Sequence, residues 1–270
     1  MTSHQFSDKA LSRRLERAEA TANAAFVESR ARVAPATEAT WIDVGGTYAM
    51  FDGVGSPCTQ TFGFGLFSTP GADQLDELEE FFISRGCQVH HEVSPLADLS
   101  TLTLLGARGY LPIELTSVLH RPVDAPLPQP AASNVHVRPI SKDEARDWAD
   151  ATARGWGETP ELGDFMRDMG MVMALARNVT GFVAEIDGVV AATGALSMHD
   201  GVAMLAGAST IPAFRGRGAQ NALLQARLRS AADHGCDLAA MGAQPGSSSQ
   251  RNAERQGFHV AYTRTKWARP

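Results

Sequence analysis

The 270-residue sequence has only three cysteines, Cys58, Cys87 and Cys236, and none of them forms a C-x-x-C pair. Such sparse cysteines exclude a disulfide framework and a cysteine-rich metal site, and they are typical of a reducing compartment. The sequence also lacks a bilayer-length apolar run and the apolar segment of a secretory signal peptide. We therefore expect a cytoplasmic protein with neither a membrane span nor a metal.

Blocks of lysine and arginine are missing as well, and the net charge is −6. This acidity argues against general binding to nucleic acid or to anionic membranes. Hydrophobic residues make up 44% of the chain and charged residues 20%, which are values of globular proteins. Because 270 residues is a natural length for two domains, we expect a globular, two-domain protein.

The most informative segment is Thr210–Ala222. It contains, in order, Arg215, Gly216, Arg217 and Gly218. The apolar run 202–208 before it predicts a buried strand, and the leucine and alanine spacing after it predicts a helix. A helix that begins after a glycine-rich turn presents unpaired N–H groups and the positive end of its dipole. With two arginines beside it, the turn predicts a site for an anion with several phosphate oxygens.

Two common phosphate loops do not fit this segment. A P-loop requires a lysine, and the dinucleotide fingerprint requires a glycine where this chain has Asn221. The segment instead resembles the pyrophosphate loop of the GNAT acyltransferases, whose signature is Gln/Arg-x-x-Gly-x-Gly/Ala. Arg215 and Gly218 match that signature, whereas Gln220 departs from its last position.

This resemblance implies that acetyl-CoA is bound and that an amine attacks its thioester directly. Direct attack requires no covalent nucleophile. The loop residues implied to hold the pyrophosphate are Arg215, Gly216, Arg217, Gly218, Ala219 and Gln220. The strand before the loop is implied to place backbone N–H groups along the pantetheine arm, namely those of Ser209, Thr210 and Ile211.

Residues 246–258 resemble the second motif of the same family, in which a helix ends at Leu-Gly-Phe. The tyrosine and the asparagine that family members often carry are replaced here by Ala253 and Gly246. Ser249 lies one turn before Ala253 on the same helix face, so it is a candidate proton donor to the CoA thiolate and a candidate cofactor contact. Its alternative role is to cap the helix.

Four further side chains are candidates for acid or base chemistry. Tyr262 lies on the last predicted strand and is a second candidate acid, with core packing as its alternative role. Glu158 is the candidate base, and Glu161 and His199 are the other titratable groups of that region. Glu158, Glu161 and His199 also fit ordinary surface positions.

The two halves of the chain share a pattern of helix, Gly-Cys, strand, helix, Gly-aromatic, strand and Arg-Pro. Gly86 to Gly109 spans 23 residues and Gly235 to Gly257 spans 22, and an arginine follows 12 residues later in both halves. The repeat predicts two tandem domains of the same kind, and the resemblance to the GNAT acyltransferases implies that these are GNAT-like α/β domains, each with a mostly antiparallel central sheet flanked by helices. The predicted boundaries are 1–122 for an N-terminal helix and the first domain, 123–133 for a proline-rich linker, and 134–270 for the catalytic domain.

The two copies differ at the loop. The first copy has no arginine there and places Asp73, Asp76 and Glu77 at its helix start. These carboxylates complement the helix dipole and repel a pyrophosphate. We therefore expect a degenerate N-terminal copy, with the cofactor bound by the second copy alone.

The sequence thus predicts an acyltransferase that moves an acetyl group from acetyl-CoA to the amine of a small molecule. One alternative is a protein of the same fold that binds acyl-CoA with weak or absent catalysis, which Ala253 and Gly246 favour. The other is a protein-interaction module. The oligomeric state stays open, with a homodimer as one option.

Overall fold

The computed structural model describes residues 7–124, 134–156 and 159–270. Its helices are α1 (Lys9–Val33), α2 (Ala72–Ile83), α3 (Leu99–Ala107), α4 (Ala145–Trp156), α5 (Pro160–Leu175), α6 (Ala219–Asp233) and α7 (Ser248–Arg255). Its strands are β1 (Thr40–Val44), β2 (Thr47–Phe51), β3 (Gln60–Phe62), β4 (His90–Val93), β5 (Leu111–Pro122), β6 (Val135–Pro139), β7 (Val179–Ile186), β8 (Val189–His199), β9 (Val202–Thr210), β10 (Leu238–Ala243) and β11 (His259–Ala268). None of the helices within these ranges combines the length and the apolar character needed to cross a membrane.

The chain divides into two compact units. Unit 1 comprises Met1–His120 together with Gly242–Pro270, and unit 2 comprises Arg121–Met241. The C-terminal residues therefore group with the N-terminal unit. The predicted domain boundaries follow from the sequence repeat. The division into two compact units does not test them. Most of the predicted linker, residues 125–133, lies outside the described residues.

The sheet of unit 1 has the strand order β1-β2-β3-β4-β11-β5. Its neighbouring strands are antiparallel except β3 and β4, which are parallel and are joined through α2. A parallel pair needs such a crossover, and a helix supplies it. The last strand of the chain, β11, lies between β4 and β5 and is therefore an inner strand of this sheet. The core includes Phe64, Leu75, Leu78, Phe82 and Tyr110.

One predicted strand of unit 1 is wrong over most of its length. The sequence favours a strand over residues 61–67, whereas β3 ends at Phe62. Gly63 and Gly65 adopt φ angles of 80° and 72°, which extended chain does not allow. The chain therefore turns after Phe62, and Phe64 enters the core of unit 1 from a turn.

A buried ion cluster fastens β11 inside unit 1. The Arg264 guanidinium of β11 contacts Glu92 of β4 at 2.8 Å, and Glu16 and Glu19 of α1 at 3.2 and 2.8 Å. The Tyr262 hydroxyl donates to Glu16 Oε1 at 2.9 Å. Burial raises the pKa of Glu16 to about 7, although the Arg264 charge opposes this rise. The cluster therefore links α1, β4 and β11 through one guanidinium.

The raised pKa of Glu16 predicts a pH-dependent stability. Between its ordinary pKa of 4.5 and about 7, the folded carboxyl keeps a proton that the unfolded one has lost. The stabilisation from this group is therefore complete below pH 4.5 and is lost as the pH rises through about 7. We expect the wild type to lose on the order of 3 kcal/mol of unfolding free energy over this window relative to Glu16→Gln.

Urea unfolding of both proteins at several pH values measures this difference. A wild-type stability that stays parallel to that of Glu16→Gln from pH 4.5 to pH 8 would contradict the prediction.

The sheet of unit 2 has the strand order β10-β9-β8-β7-β6. Strands β7, β8 and β9 form an antiparallel meander, and β9 and β10 form a parallel pair joined through α6. This strand–helix–strand unit repeats β3-α2-β4 of unit 1, so the two halves share the predicted tandem architecture. A capping box of Ser141 and Glu144 precedes α4.

Helices cover both faces of this sheet. Thr193 of β8 is hydrogen-bonded to Thr152 of α4, while at Gly194 an added Cβ would meet Arg227 of α6. Successive strand residues point to opposite faces, so α4 and α6 pack on opposite faces of the sheet. Trp148 of α4 anchors its face, because its ring nitrogen donates to the carbonyl of Phe182 at 3.0 Å.

Candidate active site

The site is built where β9 loses one of its two neighbours. The ladder between β9 and β10 runs from Val202 to Met204, whereas β9 continues to Thr210. On the other side, the β8 register shifts after Thr193, so two residues of β9 oppose one residue of β8. This is a β-bulge, and Gly207 within it has a φ angle of 60°. Residues 205, 206, 209 and 210 therefore pair with β8 on either side of the bulge, and the β10 side of residues 205–210 is unpaired.

The last residue of β9 turns its backbone polar groups to that unpaired side. The N–H of Ile211 donates to Ala191 of β8 at 3.0 Å. Neighbouring residues of a strand direct their N–H and C=O groups to opposite sides. The N–H and C=O of Thr210 therefore point away from β8. Of the three predicted backbone donors, Ile211 is bonded within the sheet, and the N–H of Ser209 faces β8 by the same alternation, so that of Thr210 alone points to the unpaired side.

A chain of buried hydroxyls fixes the end of β9 against α4. The Thr152 hydroxyl donates to the carbonyl of Trp148, and the hydroxyls of Thr152, Thr193 and Ser209 follow one another at 2.9 Å. A Cβ at Gly155 would lie 2.5 Å from Ser209 Oγ, so only glycine allows this close approach of α4. The Ser209 side chain is thus part of the framework of the site.

The loop between β9 and α6 and the first residues of α6, residues 215–220, form a concave turn that we name the cradle. Gly216 and Gly218 have φ angles of 76° and 85°, and Gly218 is the N-cap of α6. A Cβ at either glycine would meet no atom within 4 Å, so open space lies beside both. No described backbone carbonyl accepts from the N–H groups of Gly216, Gly218, Ala219 or Gln220. The loop therefore offers unpaired donors at the positive end of a helix.

Side chains connect this loop to the end of β9. Gln220 Nε2 donates to Thr210 Oγ1 at 2.8 Å. Arg215 donates to the carbonyls of Thr210 and Gly155 at 3.4 and 3.3 Å. Arg217 is exposed and pairs with Asp187 at 3.2 Å. Two exposed guanidinium groups thus flank the cradle, and their present contacts are weak surface contacts that an anion can replace.

Of the remaining predicted residues, Ser249 and Tyr262 belong to unit 1. Ser249 is exposed on α7 in unit 1, and the neighbouring Ser247 is the N-cap, accepting from the N–H of Gln250. Tyr262 is buried in unit 1 and bonded to Glu16, and burial raises the pKa of its hydroxyl well above the usual range. Glu158 lies outside the described residues. The roles of Ser249 and Glu158 stay predictions.

The alternative titratable groups carry no distinctive geometry. His199 pairs with Asp200 at 3.4 Å beside the β8–β9 turn, and Glu161 is exposed in the first turn of α5. Within the described ranges, no three His, Cys, Asp or Glu side chains are grouped to hold a metal ion.

Two residues of the site were missed by the sequence reasoning. Gly155 lies inside helix α4, where glycine is unfavourable, and that cost is the signal for a close approach. Arg227 lies four residues after Leu223 and four before Ala231, which are both buried. An arginine on the apolar face of a helix indicates a buried charge with a structural partner.

Comparison with known proteins agrees with the resemblance to the GNAT acyltransferases. Residues 142–258 match the acetyltransferase (GNAT) family. The match assigns this segment to a GNAT acetyltransferase domain. No curated protein matches the sequence.

Solved structures share the fold over most of the chain. A GCN5-related N-acetyltransferase from Kribbella flavida has a TM-score of 0.62 at 18% identity, with 91% of this chain and 95% of that one covered. One from Sphaerobacter thermophilus has a TM-score of 0.57 at 20% identity, covering 78% and 72%. A tandem GNAT protein from the clavulanic acid biosynthesis pathway has a TM-score of 0.56 at 13% identity, covering 73% and 68%. The likeness concerns the fold, and it agrees with a tandem GNAT architecture.

Proposed function

We propose that this protein transfers an acetyl group from acetyl-CoA to the amine of a small molecule, and that unit 2 holds the coenzyme. The observation that carries the proposal is the pairing of an anion cradle at Gly216 and Gly218 with the unpaired edge of β9. The cradle fits a diphosphate, because it combines open space, several N–H donors and two arginines. The edge fits an extended arm that contains amides.

In this proposal the N–H groups of Gly216, Gly218, Ala219 and Gln220 bind the phosphate oxygens. Arg215 and Arg217 add positive charge beside them, as two-pronged donors suited to phosphate. The N–H and C=O of Thr210 bind an amide of the pantetheine arm in the manner of an added strand. Ser209 and Ile211 are left out of this set, because the N–H of Ile211 is bonded to Ala191 and that of Ser209 faces the same strand.

Acetyl-CoA, when bound, supplies a thioester that an amine can attack without a covalent enzyme intermediate. The chain holds the two reactants in one place, which lowers the entropic part of the barrier. Glu158 stays the predicted base for the amine proton and Ser249 the predicted acid.

Unit 1 supports the proposal that it is a degenerate copy. The segment after β3 of unit 1 corresponds to the cradle after β9 of unit 2. In this segment Phe64 and Leu66 are buried. Phe64 stacks on His91 with ring centroids 5.0 Å apart. The helix that follows carries Asp73 in its first turn, and a carboxylate there repels an anionic ligand.

Acetyl-CoA turnover across a panel of small amines tests the proposal. Purified full-length protein is mixed with acetyl-CoA and each amine, and thiol release is followed together with the mass of the acetylated product. We expect amine-dependent thiol release with at least one amine. Saturable CoA binding without thiol release on any amine would favour the acyl-CoA-binding alternative, and absence of CoA binding would contradict both.

A further inference from the structure

Arg227 is a buried cation that the proposed chemistry does not use. It lies on α6 about two turns after the cradle, and its side chain is 3% exposed. Burial lowers its pKa only to about 10, so the guanidinium is charged at neutral pH. No acidic side chain in the described part of the chain pairs with it. A buried charge of this kind needs other strong partners.

Backbone carbonyls of three elements are the partners of the Arg227 guanidinium. Arg227 donates to the carbonyl of Leu223 in α6 at 3.3 Å, to that of Ala195 in β8 at 3.1 Å, and to that of Ala206 in β9 at 3.3 Å. A Cβ at Gly194 would lie 2.9 Å from the guanidinium carbon. Gly194 thus leaves room for the guanidinium against the sheet.

The two strand carbonyls lie at the bulge of β9. Ala195 and Ala206 form the register pair next to the extra residue. A bulge interrupts the ladder and leaves backbone groups in need of partners. Arg227 supplies donors at this position. The same guanidinium is attached to α6, whose first turn bears the cradle, and to the strand whose end bears Thr210.

We propose that Arg227 is a positioning residue that holds the unpaired edge of β9 and the N–H groups at the start of α6 at the separation that lets one ligand engage both. Arg227 itself does not touch the ligand. The inference rests on the proposed function, since it says that Arg227 positions both parts of the proposed CoA site, the cradle and the unpaired edge of β9.

Two ligands separate this role from a general loss of structure. The nucleotide half of CoA, 3′-phospho-ADP, engages the cradle alone, whereas CoA engages the cradle and the edge. For Arg227→Met we expect the Kd of CoA to rise at least about tenfold, which corresponds to about 1.4 kcal/mol. We expect the Kd of 3′-phospho-ADP to change less than about twofold. Calorimetric titration of the full chain measures both.

A second variant displaces the guanidinium without removing it. Gly194→Ala places a methyl group where Arg227 lies, and we expect the same selective loss of CoA affinity. Arg227→Lys is expected to fall between the wild type and Arg227→Met, because one ammonium cannot reproduce the planar fork. Arg229→Met on the exposed side of α6 is the matched control and is expected to leave both Kd values unchanged. Should Arg227→Met fail to fold, Gly194→Ala still provides the test.

An equal loss of affinity for both ligands would overturn the inference, as would unchanged CoA binding in Arg227→Met and Gly194→Ala. Either result, with CoA bound normally by the wild type, leaves the proposed function standing. A wild type that binds neither ligand contradicts the proposed function and the inference with it.

Discussion

The double variant Arg215→Glu/Gly218→Ala is expected to bind CoA at least about 100-fold more weakly than the wild type, a loss of about 2.7 kcal/mol. Gly218 has a φ angle of 85°, which a residue with a Cβ adopts only at a cost of about 1–2 kcal/mol. Alanine there therefore turns the first N–H groups of α6 away from their present directions. Glutamate at 215 replaces an attractive charge by a repulsive one beside the phosphates.

The same helix offers a matched control at its other end. Gly235 follows α6 with a φ angle of 78° and no atom within 4 Å of an added Cβ, and Arg229 is exposed. Arg229→Glu/Gly235→Ala therefore makes the same chemical changes far from the cradle. We expect its Kd for CoA to stay within about twofold of the wild type, as measured by calorimetry at one fixed salt concentration. Equal losses in the two double variants would argue against the cradle.

Arg264→Met is expected to cost unit 1 about 3–5 kcal/mol, because it leaves buried carboxylates without their cation. Glu16 and Glu92 are 0% and 3% exposed, so water cannot replace the guanidinium. Hydrogen exchange of the full chain measures the loss where it occurs. We expect the protection of the slowest-exchanging amides of β4 and β11 to fall by the same free energy. The slowest-exchanging amides of β8 in unit 2 serve as the internal reference.

Two further variants sharpen this test. Arg269→Met removes a partly exposed arginine of the same C-terminal segment, whose contact with Glu79 is 3.6 Å, and it is expected to cost less than about 1 kcal/mol. Adding Glu92→Gln to Arg264→Met lowers the negative charge left in the cluster and should restore part of the loss. Protection of β11 that is unaltered in Arg264→Met would show that the cluster does not hold this strand.

Local pattern predicted much of the fold and the cradle. The spacing of apolar residues located α6, and the glycines between two arginines located the turn before it. Both signals depend only on residues close in sequence, and the positive φ angles of Gly216 and Gly218 agree with them. The internal repeat likewise predicted the tandem architecture without any knowledge of long-range contacts.

What the sequence did not reveal depends on pairing between distant residues. The position of β11 between β4 and β5 follows from strand registers that no local spacing encodes. Tyr262 is bonded to Glu16 for the same reason, since the partner lies far away in the sequence. The bond from Ile211 to Ala191 depends on the β8–β9 register, and the contact of Gln220 with Thr210 on the bend of the loop.

The central claim is that the amides at the start of α6 bind the diphosphate of CoA. Amide proton–nitrogen NMR spectra of the full-length protein during a CoA titration test it most directly. The account predicts saturable shifts of the Gly216, Gly218, Ala219 and Gln220 amides at one common Kd, and the same shifts with 3′-phospho-ADP. Saturable CoA binding that leaves these four amides unmoved would contradict it.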